Sequence, residues 1–138
     1  MTKVVDSCVL VSALVDSGPD GAWSEAVVVE GPLIAPELVL VEASNVLRRL
    51  ERSAEILRAE ASLAHSSLLR LELDLFPFIP FAERVWELRE NLTCYDAWYV
   101  AMAEWFDCPL ATLDRKLSRA FGPKCEIVTP PRVSRTAD

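Results

Sequence analysis

Four acidic residues, Asp6, Glu42, Asp96 and Asp114, stand at positions where one fold can bring their carboxylates together, at intervals of 36, 54 and 18 residues. Asp6 closes the apolar run Lys3-Val4-Val5, and Asp114 lies just after Leu110-Ala111-Thr112. Asp96 falls in the first turn of the helix that follows Asn91-Leu92. Glu42 sits inside a helix in line with Val39, Val46 and Leu50, which turns it toward the protein rather than directly into water. A carboxylate on an inward face is costly unless it has a partner. Four clustered carboxylates without compensating bases repel one another and stay partly protonated. A hard divalent cation, Mg²⁺ or Mn²⁺, removes that problem. Such an ion prefers oxygen ligands, keeps waters, polarises a phosphoryl oxygen and lowers the pKa of an attacking water. The chemistry that suits this set is metal-assisted phosphodiester hydrolysis.

Each acid also has a plainer reading. Asp6 can cap the helix after it, as can Ser7. Asp96 follows Thr93 at the spacing of a capping box, and Asp114 can cap the segment from Arg115 onward. Glu42 caps nothing, and its plain alternative is a pairing with an arginine at the edge of its face. Other chemistries fare worse. The single histidine, His65, lies between Leu63 and Leu68 in an expected helix, where packing is its better role. A Ser-His-Asp or Cys-His hydrolase is therefore disfavoured. Cys8, Cys94, Cys108 and Cys125 are scattered with no C-x-x-C pair, so a structural zinc site is disfavoured too. No glycine-rich phosphate loop occurs, which argues against an NTPase or a dinucleotide-binding protein.

The elements that must position the acids read as alternating strands and helices. Lys3-Val4-Val5 is a short buried strand, and Ser7 to Val15 either continues it or begins a helix. Helices are expected over 22–30, 37–50, 54–71, 81–89, 93–105 and 115–121, with Pro36 opening the second of these. Strands are expected at 33–35, around Pro77 and Pro80, at 109–113 and at 126–128. This order implies an α/β protein, an α/β/α sandwich around a short, mostly parallel central sheet. Sites in such folds form beyond the carboxyl ends of strands, at a topological switch point.

Composition agrees with one domain. The 138 residues are 51% hydrophobic and 25% charged, enough to bury a core and too apolar for a disordered chain. No charge-free run exceeds nine residues, well short of a membrane span, and Asp6 interrupts any secretory signal. The expected compartment is the cytoplasm. Net charge is −7, so attraction of nucleic acid by the whole surface is not expected. Charge is nevertheless uneven. Residues 1–47 hold Lys3 against seven acids, whereas residues 115–138 hold six bases against two acids.

Val4-Val5-Asp6-Ser7, the run from Ala35 to Leu47 around Glu42, Tyr95-Asp96-Ala97-Trp98-Tyr99-Val100-Ala101-Met102-Ala103, and Leu110 to Leu117 around Asp114 resemble the four motifs of PIN domains. In order, spacing and chain length they are similar to the small PIN ribonuclease toxins of VapC type, over residues 3–129. The resemblance implies a single PIN domain over 1–129, with a C-terminal tail over 130–138. It also implies a Mg²⁺- or Mn²⁺-dependent endoribonuclease, a homodimer, and inhibition by a small antitoxin protein. Asp6, Glu42, Asp96 and Asp114 match the family's catalytic and metal-binding quartet. Thr112 matches a supporting hydroxyl that can orient the last acid, and Ser7 is a second supporting residue. Cys8 departs from the family, which often has Ser or Asn there.

An RNA substrate requires local bases in this acidic chain. Arg115, Lys116 and Arg119 follow the last acid, and Arg48, Arg49 and Arg52 extend the Glu42 helix; solvated helix faces are the plain alternative. Trp98, Tyr99 and Trp105 are expected in the core or a dimer interface rather than stacked on bases. A non-catalytic domain of the same fold is the competing reading. A phosphoacceptor receiver would want adjacent acids at Asp6-Ser7, a haloacid-dehalogenase-like phosphatase would want Asp-x-Asp, and the chain lacks room for the helical arch of related DNA nucleases.

Overall fold

The computed structural model describes residues 1–132; the remainder of the expected tail, 133–138, lies outside the described residues. Five short strands form one sheet: β1 (Lys3–Val5), β2 (Leu33–Pro36), β3 (Leu73–Phe76), β4 (Leu110–Ala111) and β5 (Ile127–Val128). Their order is β3-β2-β1-β4-β5, and every pairing is parallel. Six helices flank the sheet: α1 (Ser7–Val15), α2 (Pro19–Glu30), α3 (Val39–Arg52), α4 (Arg58–Leu68), α5 (Ala82–Glu87) and α6 (Cys94–Trp105). Val4 and Val5 at the centre are fully buried, as are all four residues of β2. That is the apolar content a parallel strand covered on both faces needs.

Chain direction across the sheet creates the site. From β1 the chain moves outward to β2 and β3, then returns to place β4 on the other side of β1. The carboxyl ends of β1 and β4 therefore border the switch point. Val5 pairs with Ala111, so the next residues on each strand, Asp6 and Thr112, emerge side by side.

Local sequence accounts for most departures from the expected boundaries. Ser7 to Val15 is a helix, because Asp6 accepts from the Val9 backbone N–H at 3.0 Å and starts it. Pro36 ends β2 instead of opening a helix, and α3 begins at Val39. The segment from Ser53 to Leu57 stays out of helix, with Ala54 at a φ of 60° and the Leu57 N–H held by Glu60 at 3.1 Å. β3 precedes Pro77, and Ile79–Phe81 forms a single 3-10 turn. Arg115 to Phe121 contributes only one 3-10 turn, at Leu117–Arg119.

Two contacts fasten the layers. Arg84 forks onto Glu104, with Nε to Oε1 at 2.7 Å and an amino group to Oε2 at 3.1 Å, and also donates to the Gly122 carbonyl at 2.9 Å. Glu104 accepts from the Lys124 N–H as well, so this pair ties the approach to β5 onto α5 and α6. At the other end, α2 passes so close to the end of α1 that a Cβ on Gly21 would lie 1.9 Å from the Asp16 carbonyl oxygen. Gly21→Ala is expected to destabilise the fold by about 1–3 kcal/mol through overpacking. Thermal or urea unfolding of the variant checks this, and an unchanged midpoint would contradict it.

Candidate active site

Asp6, the residue after β1, is the centre of the acidic site. Its Oδ1 caps α1 and its Oδ2 accepts the hydroxyl proton of Thr112, a residue with no solvent exposure just past β4. The Thr112 oxygen in turn accepts the Asp114 backbone N–H at 3.0 Å. Thr112 thus joins the first and last acids, and its proton orients Asp6 rather than Asp114. Asp114 itself is exposed, and its Oδ1 accepts from the Lys116 and Leu117 backbone N–H groups at 2.9 and 3.4 Å. The capping role anticipated for Asp114 is present. It leaves Oδ2 without a hydrogen bond among the described residues.

Asp96 arrives from the first turn of α6, whose N-cap Thr93 accepts the Asp96 N–H at 3.2 Å. Asp96 and Asp114 line one cavity of about 190 Å³ with Asn91, Thr93 and Lys116. Glu42 enters from the first turn of α3 and is half-buried. Its Oε1 accepts the phenolic proton of Tyr99 at 2.6 Å. Tyr99 is buried and lies one turn beyond Asp96 on the same face of α6. The sequence reading placed Tyr99 in the core or an interface and missed this bond. The signal was present: a hydroxyl stands three positions after an acid on one helix.

Charge ties the four together. Burial pushes the Asp6 carboxyl up to about 6; hydrogen bonds from Thr112 and Val9 oppose this, and the Asp96 and Glu42 charges reinforce it. Asp96 is raised by burial and then by Asp114. The acids therefore form a connected series, Glu42 to Asp6 to Asp96 to Asp114. None joins an ion pair among the described residues. Nor do any three His, Cys, Asp or Glu side chains among the described residues stand close enough together to hold a metal ion as they are. The array is open and all-oxygen. Oxygen donors of this kind are the ones that hard divalent cations take.

Other expected residues are less central. Ser7 is buried and bonds to none of the four carboxylates among the described residues. Cys8 lies beside the site, its thiol pKa raised by desolvation and then by the Asp6 charge. Arg49 lies close enough to Cys8 to lower it slightly, whereas Arg48 lines a groove between α3 and α4. His65 bonds Ser44 across that groove at 3.0 Å; the Ser44 proton goes to the Leu40 carbonyl, so the imidazole donates. Arg115 donates to the Pro130 carbonyl at 3.1 Å, and Arg119 is exposed. Trp98 is half-buried, edge-on to Phe78.

Residues 3–122 match the family model of the PIN domain. Ribonuclease VapC9 of Mycobacterium tuberculosis is 36% identical over 129 residues, covering 94% of this chain and 98% of the relative. The chain belongs to the PIN-domain family, among the VapC ribonucleases. Solved PIN folds agree. PAE2754 from Pyrobaculum aerophilum superposes with a TM-score of 0.69 at 26% identity, covering 92% of this chain and 83% of that one. A toxin–antitoxin complex from Klebsiella pneumoniae contains the same fold, at a TM-score of 0.63 and 18% identity over 95% of this chain and 99% of that one. In this PIN domain the expected α/β/α architecture holds, with a sheet that is wholly parallel among the described residues.

The raised Asp6 carboxyl has a measurable consequence. Its folded value near 6 exceeds the unfolded value near 3.8, so between these pH values the native state holds more of the proton. Stability from this group is full below pH 3.8 and is lost as pH rises through 6. Asp6→Asn keeps the cap on Val9 and removes the charge. In EDTA at pH 7.5 it should be more stable than the wild type, by on the order of 2 kcal/mol. That advantage should shrink as pH falls through 6 and vanish near pH 4. Thermal melts across this range check the sign; a variant less stable at pH 7.5 would reverse it.

Proposed function

We propose that this PIN domain is the toxin of a type II toxin–antitoxin pair, a Mg²⁺- or Mn²⁺-dependent endoribonuclease acting in the cytoplasm. The observation that carries the reading is the series Glu42, Asp6, Asp96 and Asp114, free of ion pairs among the described residues, at the switch point between β1 and β4. These four would hold the cation. When bound, it supplies Lewis acidity toward a phosphoryl oxygen and makes a water acidic enough to attack at neutral pH.

The chain's own residues do the rest. Thr112 fixes Asp6, and the α1 cap fixes it a second time, so the central carboxylate cannot swing away. Lys116, on the cavity shared by Asp96 and Asp114, stands where an RNA phosphate would be drawn in. Arg49 stands near Cys8 at the other side of the site, while Arg48, Arg115 and Arg119 extend the basic surface. No histidine approaches the acids to activate a 2′-hydroxyl, and the sole histidine is engaged with Ser44. Water is therefore the nucleophile. Cleavage leaves a 5′-phosphate and a 3′-hydroxyl.

The partners follow from charge and apolar surface. An antitoxin arginine entering the cavity would neutralise and bridge its carboxylates in a planar, forked contact. A second copy of the chain covers the apolar face around Ile79, Trp105 and Phe106, where Ile79 and Trp105 are 80% and 70% exposed. Among the described residues no helix is long and apolar enough to cross a membrane. The domain extends to 129, past the 3-122 matched by the family model, because β5 ends at Val128 and completes the sheet edge.

Two measurements test the reading. Asp96→Asn should lower RNA cleavage at least 100-fold while leaving the circular-dichroism spectrum unchanged, and EDTA should do the same to the wild type. Product ends should be 5′-phosphate and 3′-hydroxyl. Cyclic-phosphate ends, or full activity in EDTA, would overturn the mechanism. Light scattering at micromolar concentration should give twice the 15.4 kDa chain mass; a monomer would remove the dimer.

A further inference from the structure

Two of the four acids have the same kind of restraint. Asp6 and Glu42 are each held by a neutral hydroxyl, Thr112 and Tyr99 respectively, and by no cation among the described residues. A lysine or arginine in either place would orient the carboxylate but cancel its charge. A hydroxyl orients it and leaves the charge for another cation. For Glu42 the arrangement is unusually exclusive. Tyr99 Oη is its sole side-chain hydrogen-bond partner among the described residues, at 2.6 Å, and Oε2 has none. Tyr99 is 4% exposed and anchored in α6, between Ala97 and Val100, both without exposure. Its ring therefore has little freedom, and what it fixes is fixed by the core.

We propose that Tyr99 is a positioning residue of this site, holding Glu42 by Oε1 so that Oε2 remains available to a divalent cation shared with Asp6. The inference rests on the metal-dependent reading given above. Its logic is geometric. Glu42 approaches from α3 and Asp96 from the first turn of α6, and a glutamate has three side-chain torsions to settle. The Tyr99 bond links α3 to α6 at the site itself. Because Asp96 and Tyr99 lie one turn apart on one helix, α6 sets the position of two acids: one that it carries and one that it holds. Asp114 takes its own constraint from backbone N–H groups, so the site has a separate neutral restraint for each of three acids.

The test is Mn²⁺ binding by isothermal titration, with the full chain and without RNA, in the wild type, Tyr99→Phe, Glu42→Gln and the double variant. Tyr99→Phe removes one oxygen from a buried ring. It should weaken Mn²⁺ binding about 10-fold, within the range for groups that orient metal ligands. Glu42→Gln should weaken it at least as much, and Tyr99→Phe should add nothing in the Glu42→Gln background. Wild-type affinity in Tyr99→Phe alongside a weakened Glu42→Gln would overturn the role of Tyr99 and leave the nuclease reading standing. Equal losses from Tyr99→Phe in both backgrounds would show that it does not act through Glu42. Glu42→Gln binding as the wild type does would overturn both readings. Should Tyr99→Phe not fold, the wild type grown on 3-fluorotyrosine supplies the same answer, since Tyr95 is the only other tyrosine. Its buried ¹⁹F signal should move when Mg²⁺ is added and stay still in Glu42→Gln. A signal that stays still in the wild type would overturn the proposal.

Discussion

Asp6 is half-buried at the end of the central strand with no cation paired to it among the described residues, and much of the surrounding structure answers that one problem. A charge in this position raises its own pKa and repels Asp96 and Glu42. The fold restrains it with a helix N-terminus, α1, and with the hydroxyl of Thr112 from the neighbouring strand. Both restraints depend on register. Were β4 to slip by one residue against β1, Ala111 or Leu113 would face Asp6, and every side chain of β4 would change faces. Full burial of Val4, Val5, Leu110 and Ala111 opposes such a slip. Core packing and acid placement are thus the same constraint, enforced at adjacent residues.

From that pair outward, the remaining acids need longer levers. Asp96 is one capped helical turn from a loop, with Thr93 fixing where α6 begins. Glu42 is one turn into α3, a helix whose start is set by Pro36 ending β2 and by the Glu37 N–H bonding to the Phe76 carbonyl at 3.0 Å. Asp114 is the exposed member of the four and is held by a turn of its own making. The other three are half-buried, and backbone N–H groups rather than a side chain hold the Asp114 carboxylate. The exposed end is the one that an incoming phosphate or a partner's side chain can reach first.

The sequence exposes the strong parts of this design and conceals the relational ones. Asp6 and Asp114 were legible because short apolar runs end at them, and Asp96 because Thr93 marks a helix start. Glu42 was legible because an acid on an apolar helical stripe needs a reason. The helical state of Ser7 to Val15 was ambiguous, since its valines favour strand; the Asp6 cap decides it, a contact local in sequence but dependent on where β1 stops. Pro36 and the Pro77 to Pro80 stretch misled for a related reason: proline marks the end of one element as readily as the start of another. Tyr99 does lie in the core as expected, but its bond to Glu42 was not legible because that partner is 57 residues away. The proton of Thr112 travels further still, to a residue 106 positions back. Pairings of that kind belong to topology, and periodicity within one element carries no record of them.

A net charge of −7 then ceases to conflict with a polyanionic substrate. Exposed charges separated by more than about 8 Å are largely screened at physiological ionic strength, so what an RNA phosphate meets is the local field, not the total. Seven of the acids lie in residues 1–47, and apart from Asp6 and Glu42 they are spread over α2, the turn before it and the turn before α3. The bases after Asp114 are concentrated, and Lys116 borders the cavity that contains two of the site's acids. A phosphate approaching there passes a cation before it reaches the carboxylates. Without a divalent ion the inner acids would repel it; with one, the same acids become the reason that the ion is held. On the proposed metal-dependent reading, attraction of the substrate is conditional on the cation, with a surface whose sum is negative.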